Sequence, residues 1–274
     1  MNTKITQKQI EAYQRDGFLI LEGFLTPEEL DEIREAVAKC VEQMGMHKVA
    51  GEGNENLVES KANPNRVFLQ RINLWKINDT IKKHFLSPAL GQMLCDLAGI
   101  DGIRVWHDQT LQKQAWANPT AWHTDNPKWS FHSPDSVSIW IALDDATVRN
   151  GCLYYLPGSH KVLSYDKSPS TGDHMSKLFE FYPELKDIEA VPAEMKAGSA
   201  GVHNSLIAHA AGPNMTPHWR RAMTCAYMPD GARFNGIQNI LSREQLDKLK
   251  VGDILNDEGQ NPLIWSRKAA AAWS

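Results

Sequence analysis

His123, Asp125 and His209 are the residues whose types and spacing point most directly to chemistry. In a β-strand, side chains two positions apart lie on the same face, so the His123 imidazole and the Asp125 carboxylate could bind one metal ion together. This pattern is weak on its own, because any histidine and aspartate can fall two positions apart. His209 adds a third ligand from a later segment. Two histidines and one carboxylate that leave three coordination positions open form the facial triad of non-haem iron(II) oxygenases.

The segment that supplies the third ligand, 201–214, is apolar and carries both His203 and His209. We interpret it as a strand in which the two histidines lie on the same face, since an even number of positions separates them. His209 is favoured as the ligand because it ends the strand and directly precedes the turn Gly212-Pro213-Asn214. Arg220-Arg221 follows shortly afterwards and could bind an anion.

Three motifs, in this order along the chain, are similar to the phytanoyl-CoA dioxygenase family. They are Trp122-His123-Thr124-Asp125, the block from Trp140 through Asn150-Gly151 to Lys161, and the His209 segment with its downstream arginine. The resemblance covers most of the chain, and an ordered set is far more specific than any single motif. It implies a mainly β fold, with a double-stranded β-helix (jelly-roll or cupin-like) core and flanking N-terminal and C-terminal helices.

The same resemblance implies an activity and assigns roles to residues. The enzyme would use iron(II), 2-oxoglutarate and O2 to oxidise a small organic molecule, most simply by hydroxylation, with release of succinate and CO2. His123, Asp125 and His209 match the metal ligands. Arg220 matches the arginine that pairs with the distal carboxylate of 2-oxoglutarate, with Arg221 as the fallback. A planar guanidinium suits this role because it can hold a carboxylate through two parallel hydrogen bonds.

Further matches and departures concern the surroundings of these residues. Lys113 and Trp140 match positions that line the co-substrate pocket. Ala211 stands where the family commonly has a small polar residue, and Thr124 stands where it often has glutamine. Related halogenases lack the carboxylate ligand so that chloride can bind iron, so Asp125 favours hydroxylation, desaturation or another oxygenase outcome.

Candidate substrate contacts lie within and just beyond the HxD pattern: Thr124, Asn126 and Trp129. Aromatic side chains near a site can enclose an apolar or a quaternary ammonium substrate. Lys128 could meet an anion or be solvated. Core packing is the alternative for Trp129 and for the nearby aromatic residues Trp106, Trp116, Trp122 and Phe131. We interpret the other histidines as structural, surface or packing residues: His107, His132, His160, His174 and His218.

Three parts of the chain would position these residues: a helical flank with a lid-like loop (1–100), a β core (101–230) and a C-terminal extension (231–274). Together they would form one domain, 1–274. Helices are predicted at 6–15, at 27–44 after the Thr26 cap, at 87–98 and at 241–251, with a short strand at 18–21, a loop at 45–65 and an irregular stretch at 254–265.

The β core contains short apolar or β-branched runs without interleaved helices, a pattern that favours an antiparallel sandwich or barrel. The predicted strands are 103–111, 137–143, 152–156, 201–207 and 222–228. Asn150-Gly151 predicts a type I′ turn between two of them.

Composition excludes several function classes. The 274-residue chain has 29 Lys and Arg against 33 Asp and Glu, a net charge of -4, so it lacks a surface-wide basic field for nucleic acid or anionic membranes. A small-molecule partner is expected instead. Four scattered cysteines indicate buried reduced thiols, and the lack of a signal peptide or a long apolar run indicates a cytoplasmic protein. The oligomeric state is left open.

Two other classes of function fit the triad alone. The three ligands could hold zinc or another divalent ion in a hydrolase or isomerase on a cupin-like barrel, since such barrels host many reactions. The chain could also be a non-catalytic binding module. Arg220 at its matching position counts against the first, and the complete set of ligands counts against the second.

Overall fold

Two antiparallel sheets form the β part of the molecule in the computed structural model, which describes residues 1–51 and 67–271. The strands are β1 (Phe18–Leu21), β2 (Leu69–Ile72), β3 (Gly102–Lys113), β4 (Thr120–His123), β5 (Val137–Ala142), β6 (Leu153–Tyr155), β7 (Val191–Ala193), β8 (Ala200–Asn204), β9 (His209–Ala211), β10 (Arg220–Pro229) and β11 (Leu263–Ser266). The larger sheet has the order β1-β8-β5-β10-β3-β11, with β2 also paired to β3. The smaller sheet has the order β4-β9-β6-β7.

Side-chain alternation gives the larger sheet two different buried faces. In β5, Val137, Ile139 and Ile141 pack in the same cluster as the N-terminal helices, whereas Trp140 and Ala142 pack between the two sheets. Both faces are therefore covered, which is why this strand is apolar almost throughout. The space between the sheets is where the candidate site lies.

The helices are α1 (Gln7–Asp16), α2 (Pro27–Met44), α3 (Asp79–Phe85), α4 (Pro88–Ala98), α5 (Lys177–Phe181), α6 (Arg243–Lys248) and α7 (Arg267–Ala271). Thr6 and Thr26 each close a capping box at the start of α1 and α2, which fixes where these helices begin. The apolar stripe of α2 is buried against the larger sheet. No helix within the described ranges combines the length and apolar character needed to cross a membrane.

The predicted helices at 6–15, 27–44 and 87–98, the strand at 18–21 and the antiparallel two-sheet core are confirmed. All four cysteines are buried free thiols, as predicted. The helix predicted at 241–251 is shorter, because Leu249 is already extended. The stretch predicted as irregular contains β11, and β2 and α3 were not predicted. Most of the predicted lid, 52–65, lies outside the described residues.

The predicted type I′ turn is wrong. Gly151 has a φ of +90°, but Asn150 does not have the positive φ that this turn also requires. The Asn150 side chain instead bonds the backbone, accepting from the Thr147 amide at 2.7 Å and donating to the Asp145 carbonyl at 2.7 Å. The turn joins β5 of one sheet to β6 of the other, so it is not a hairpin.

Candidate metal centre and co-substrate pocket

His123 and His209 meet across two neighbouring strands of the smaller sheet. His123 ends β4, His209 begins β9, and the two residues are paired in the antiparallel register. Their ring centroids are 4.2 Å apart. The prediction that one strand carries both His203 and His209 is wrong, because the chain leaves the larger sheet after Asn204 and enters the smaller one at His209.

Asp125 reaches the same point from outside the strand. Its backbone is in the right-handed helical region (φ -83°, ψ -50°) and begins a 3₁₀ turn, so the alternation of a strand does not explain its position. The amides of Asp125 and Asn126 both donate to the Ser205 carbonyl at 3.1 Å. These bonds tie the carboxylate to the segment that leads into β9.

The donor atoms of the three residues fit a divalent metal such as iron(II). One atom from each lies within 4.8 Å of the others, and Asp125 Oδ1 is 3.7 Å from His123 Nε2 and 3.8 Å from His209 Nε2. The Nδ1 atoms lie 2.7 Å from the Ala121 carbonyl and 3.1 Å from the Ile207 carbonyl, respectively. A proton on each Nδ1 leaves the Nε2 lone pairs for a metal.

The environment sets the protonation state that a metal requires. Burial, reinforced by the neighbouring His123, lowers the pKa of His209 to about 3, and burial also lowers the pKa of His123. Burial alone would raise the pKa of Asp125, but the surrounding histidines, His209 first, hold it well below its usual value. The site therefore offers two neutral imidazoles and one carboxylate at neutral pH.

Arg220, the predicted co-substrate residue, is buried in the same cavity at the start of β10. Its guanidinium lies 5.1 Å from the Trp140 ring, Nη1 makes one long hydrogen bond (3.4 Å) to the Leu111 carbonyl, and Nε has no hydrogen-bond partner among the described residues. No carboxylate of the described residues pairs with it. Burial lowers its pKa to about 10. Arg221, the fallback, lies on the opposite face and pairs with Asp144 through Nε (2.9 Å) and Nη2 (2.7 Å).

Lys113 lies behind the cavity rather than in its lining. It pairs with Arg220 in the register of β3 and β10, is fully buried, and donates to the Asn118 carbonyl at 2.6 Å. Burial, reinforced by Arg220, lowers its pKa to about 7. Gly151 covers its side chain, since a Cβ there would lie 2.7 Å from Lys113 Cδ. Trp140, by contrast, lines the cavity as predicted.

Ala211 stands where the family pattern has a small polar residue, and the structure places a polar residue opposite it. Ala211 lines the cavity and pairs with Thr120 across β9 and β4. Thr120 lines the same cavity and places its hydroxyl 3.4 Å from Lys113 Nζ. A polar group is therefore present opposite the position where the family pattern has one.

The whole cavity has a volume of about 350 Å³. The remaining side chains of its lining are Lys48, Val49, Phe68, Gln70, Ile72, His107, Gln109, Lys128, Trp129, Thr171, His203, Thr224, Asn239 and Ile240.

His107 was predicted to be a surface or packing residue, but it lines the cavity and stands edge-on to Trp129, with ring centroids 6.1 Å apart. Burial lowers its pKa to about 4. A β-bulge in β3 at Trp106 explains the error: Ala226 pairs with His107, but the next residue, Tyr227, pairs with Val105. The bulge reverses the faces, so Val105 packs toward the helices while His107 enters the cavity.

The predicted substrate contacts separate into two groups. Trp129 lines the cavity. Asn126 is buried outside the lining, where it accepts from the Ser133 amide and donates to the Ser136 hydroxyl. Thr124 also lies outside the lining, and its backbone bonds the Ser168 hydroxyl. The 3₁₀ turn after Asp125 directs Asn126 into the following loop, which corrects the prediction for it.

A comparison with known families decides the identity. A profile of the family "Phytanoyl-CoA dioxygenase (PhyH)" matches residues 13–222, well over half of the chain. The chain belongs to the phytanoyl-CoA dioxygenase family. This PhyH-family enzyme is 26% identical over 227 residues to a "probable alpha-ketoglutarate-dependent hypophosphite dioxygenase" of Stutzerimonas stutzeri, covering 80% of this chain and 77% of that protein.

Two solved structures share the fold of the PhyH-family enzyme. The carbocyclase SnoK from nogalamycin biosynthesis aligns with a TM-score of 0.77 at 23% identity, covering 95% of this chain and 96% of SnoK. The epimerase SnoN, in complex with Fe3+, alpha ketoglutarate and nogalamycin RO, aligns with a TM-score of 0.74 at 24% identity, covering 94% and 98%. The predicted jelly-roll fold is confirmed. The PhyH-family enzyme is an iron(II)- and 2-oxoglutarate-dependent dioxygenase that acts on a small molecule.

Proposed function

We propose that this PhyH-family enzyme hydroxylates a small organic molecule, with iron(II) held by His123, Asp125 and His209 and with 2-oxoglutarate anchored by Arg220. The observation that carries the assignment is a buried guanidinium in the cavity of the triad that pairs with no carboxylate of the described residues. Removing a charge from water is costly unless a counter-charge replaces the lost hydration. The distal carboxylate of 2-oxoglutarate would supply that counter-charge.

Each protein group then has a defined task. Bound iron supplies the redox chemistry that couples 2-oxoglutarate decarboxylation to oxidation of the substrate by O2. Arg220 orients the co-substrate, and the Trp140 ring supports the guanidinium. The Thr120 hydroxyl, opposite Ala211, takes the place of the polar contact that the family pattern puts at 211. His123 and His209 are buried and Asp125 is partly buried, which limits the access of bulk water to the reacting centre.

We also propose that the described parts of the chain act as one oxygenase domain, since the N-terminal helices share a core with the larger sheet. Retention of the Asp125 carboxylate supports an oxygenase outcome. The cytoplasmic location and the absence of nucleic-acid and membrane partners stay predictions.

Anaerobically iron-loaded protein, supplied with 2-oxoglutarate and then O2, tests the assignment by its succinate output. The intact chain should form succinate, and His123→Ala should not. Arg220→Gln should form it only at raised 2-oxoglutarate concentrations. Equal succinate output from the intact chain and His123→Ala would overturn the proposed site.

A further inference from the structure

Away from Arg220, the described side chains that line the cavity carry more positive than negative charge. Among the described lining residues, Lys48 and Lys128 are cationic, and the sole carboxylate is Asp125, whose charge is committed to the proposed metal. Among the described lining residues, an ammonium substrate would therefore find no free counter-charge. This argues against the quaternary ammonium substrate that the aromatic residues alone would allow.

Lys128 is held in place rather than solvated. It ends the 3₁₀ turn that begins at Asp125, and its Nζ donates to the Pro169 carbonyl at 2.5 Å. The preceding residue, Ser168, bonds both the amide and the carbonyl of Thr124, so the Pro169 segment is fixed to the ligand strand. An ammonium has three donor hydrogens, and no described carboxylate lies within ion-pair distance of this one. Two donors therefore stay available to a ligand.

We propose that Lys128 recognises an anionic group of the substrate, a carboxylate or a phosphorus or sulfur oxyanion. The body of the substrate lies against Trp129 and His107, and Lys48 adds positive charge near the cavity entrance. This inference rests on the proposed function, because it assigns the substrate of the same site. Hydrogen bonds to charged groups are stronger than those between neutral groups, so the anionic group would be a main determinant of affinity.

Paired compounds test the charge requirement. Small organic anions and their uncharged amides or esters are each added to iron-loaded enzyme with 2-oxoglutarate. Stimulation of succinate formation is measured in air, and the change in the absorption of the iron–2-oxoglutarate complex is measured without O2. Anions should give both responses. Lys128→Gln should raise the KM for a responding anion about tenfold or more, whereas Lys196→Gln, a matched change at an exposed lysine, should not alter it.

The proposal is overturned if uncharged partners respond as well as the anions, if no anion gives either response, or if Lys128→Gln leaves the KM for the anion unchanged. Failure of the proposed function looks different. In that case neither succinate nor an absorption band dependent on 2-oxoglutarate would appear, with or without added compounds.

A second, independent observation concerns the two oxygens of Asp125. Oδ1 faces both proposed histidine ligands, whereas Oδ2 lies 3.8 Å from Nε2 of His203, which has no hydrogen-bond partner. Nδ1 of His203 lies 3.1 Å from the Tyr155 hydroxyl. Both side chains are buried. Gly201 leaves room for this hydroxyl, since a Cβ there would lie 3.2 Å from it.

The donors and acceptors of Tyr155 and His203 indicate the direction of the hydrogen bond between them. Within the described ranges the Tyr155 hydroxyl has a single partner, Nδ1 of His203, and donation to Nδ1 is the direction that satisfies the hydroxyl proton. The remaining proton of His203 is then on Nε2, facing Asp125 Oδ2. We infer that His203 is a positioning residue whose Nε2–H faces Oδ2 and keeps Oδ1 directed at the metal by electrostatic attraction, with Tyr155 setting the tautomer.

Cobalt(II) affinity of the metal-free full chain, followed by absorption, tests this inference without turnover. His203→Ala and Tyr155→Phe should each weaken cobalt binding about tenfold or more, the range seen for partners of metal ligands. His203→Gln, which keeps an N–H donor, should recover part of the loss. Tyr227→Phe is the matched control, since it removes a buried hydroxyl that bonds the Phe85 carbonyl.

Unchanged cobalt affinity in both His203→Ala and Tyr155→Phe overturns the inference, as does an equal loss in Tyr227→Phe. Thermal melts of the metal-free variants separate this result from misfolding. If the proposed metal site itself were wrong, His123→Ala would bind cobalt as tightly as the intact chain.

Discussion

The two ends of the cavity are built in different ways. At the co-substrate end, strand register brings the functional residues together: His123 pairs with His209, Thr120 with Ala211 and Lys113 with Arg220. At the substrate end, Lys48, Trp129 and Asn239 come from loops and turns that lie far apart in the chain. Sheet pairing therefore positions the two proposed histidine ligands and Arg220, while loops and turns supply Asp125 and these residues of the substrate end.

The largest effect should come from removing a proposed metal ligand at the co-substrate end. His209→Ala removes one of the proposed ligands and should reduce succinate formation by more than about a hundredfold, the upper range for losing an outer partner. Trp129→Ala, a change at the substrate end, should raise the KM for the substrate and leave cobalt binding within about twofold of the intact chain. Comparable cobalt binding by the two variants would contradict the claim that the co-substrate end binds the metal and the substrate end does not.

Arg220 and Arg221 are neighbours in β10 but lie on opposite faces, so substituting each in turn compares the cavity face with the other face. Arg220→Gln should raise the KM for the co-substrate at least about tenfold, since a charge-assisted pair is lost. Arg221→Gln should leave this KM nearly unchanged and cost about 1 kcal/mol or less in stability, because its pair with Asp144 is partly exposed. Steady-state kinetics and thermal melts measure both. A similar change of the KM for 2-oxoglutarate in the two variants would contradict the claim that only Arg220 binds the co-substrate.

Gly151 tests the packing behind the co-substrate end. Gly151→Ala places a Cβ 2.7 Å from both the Gly212 carbonyl oxygen and Lys113 Cδ at a φ of +90°, so it should destabilise the protein by about 1–3 kcal/mol beyond the backbone effect. Gly231→Ala is the matched control, with a φ of +92° and no atom within 4 Å of the new Cβ. Denaturant unfolding measures both, and equal losses would contradict the close approach to Lys113.

A pH dependence of stability is expected at Lys113. Its folded pKa of about 7 lies below the usual lysine value, so the unfolded chain binds more protons between these two values. The contribution of Lys113 to stability should therefore rise with pH from about 7 to about 10. The stability advantage of intact protein over Lys113→Met should accordingly grow across this window. A difference independent of pH would mean that Lys113 is not a buried titrating group.

The sequence predicted the elements that depend on local signals. The capping residues Thr6 and Thr26 located α1 and α2, and the order of the motifs predicted the three proposed ligands, whose donor atoms lie together, and Arg220. Errors arose where the position of a side chain depends on distant partners. The bulge at Trp106 and the sheet change between His203 and His209 are set by pairing with other strands, which local alternation does not encode.

The absorption of the iron(II) protein during anaerobic titration with 2-oxoglutarate tests the central claim most directly, because the co-substrate chelating the metal produces a band without turnover. The proposed site predicts a saturable band in the intact chain, its loss in His209→Ala, and saturation only at higher 2-oxoglutarate concentrations in Arg220→Gln. A band of equal intensity and equal midpoint in all three proteins would place the iron and its co-substrate outside this cavity.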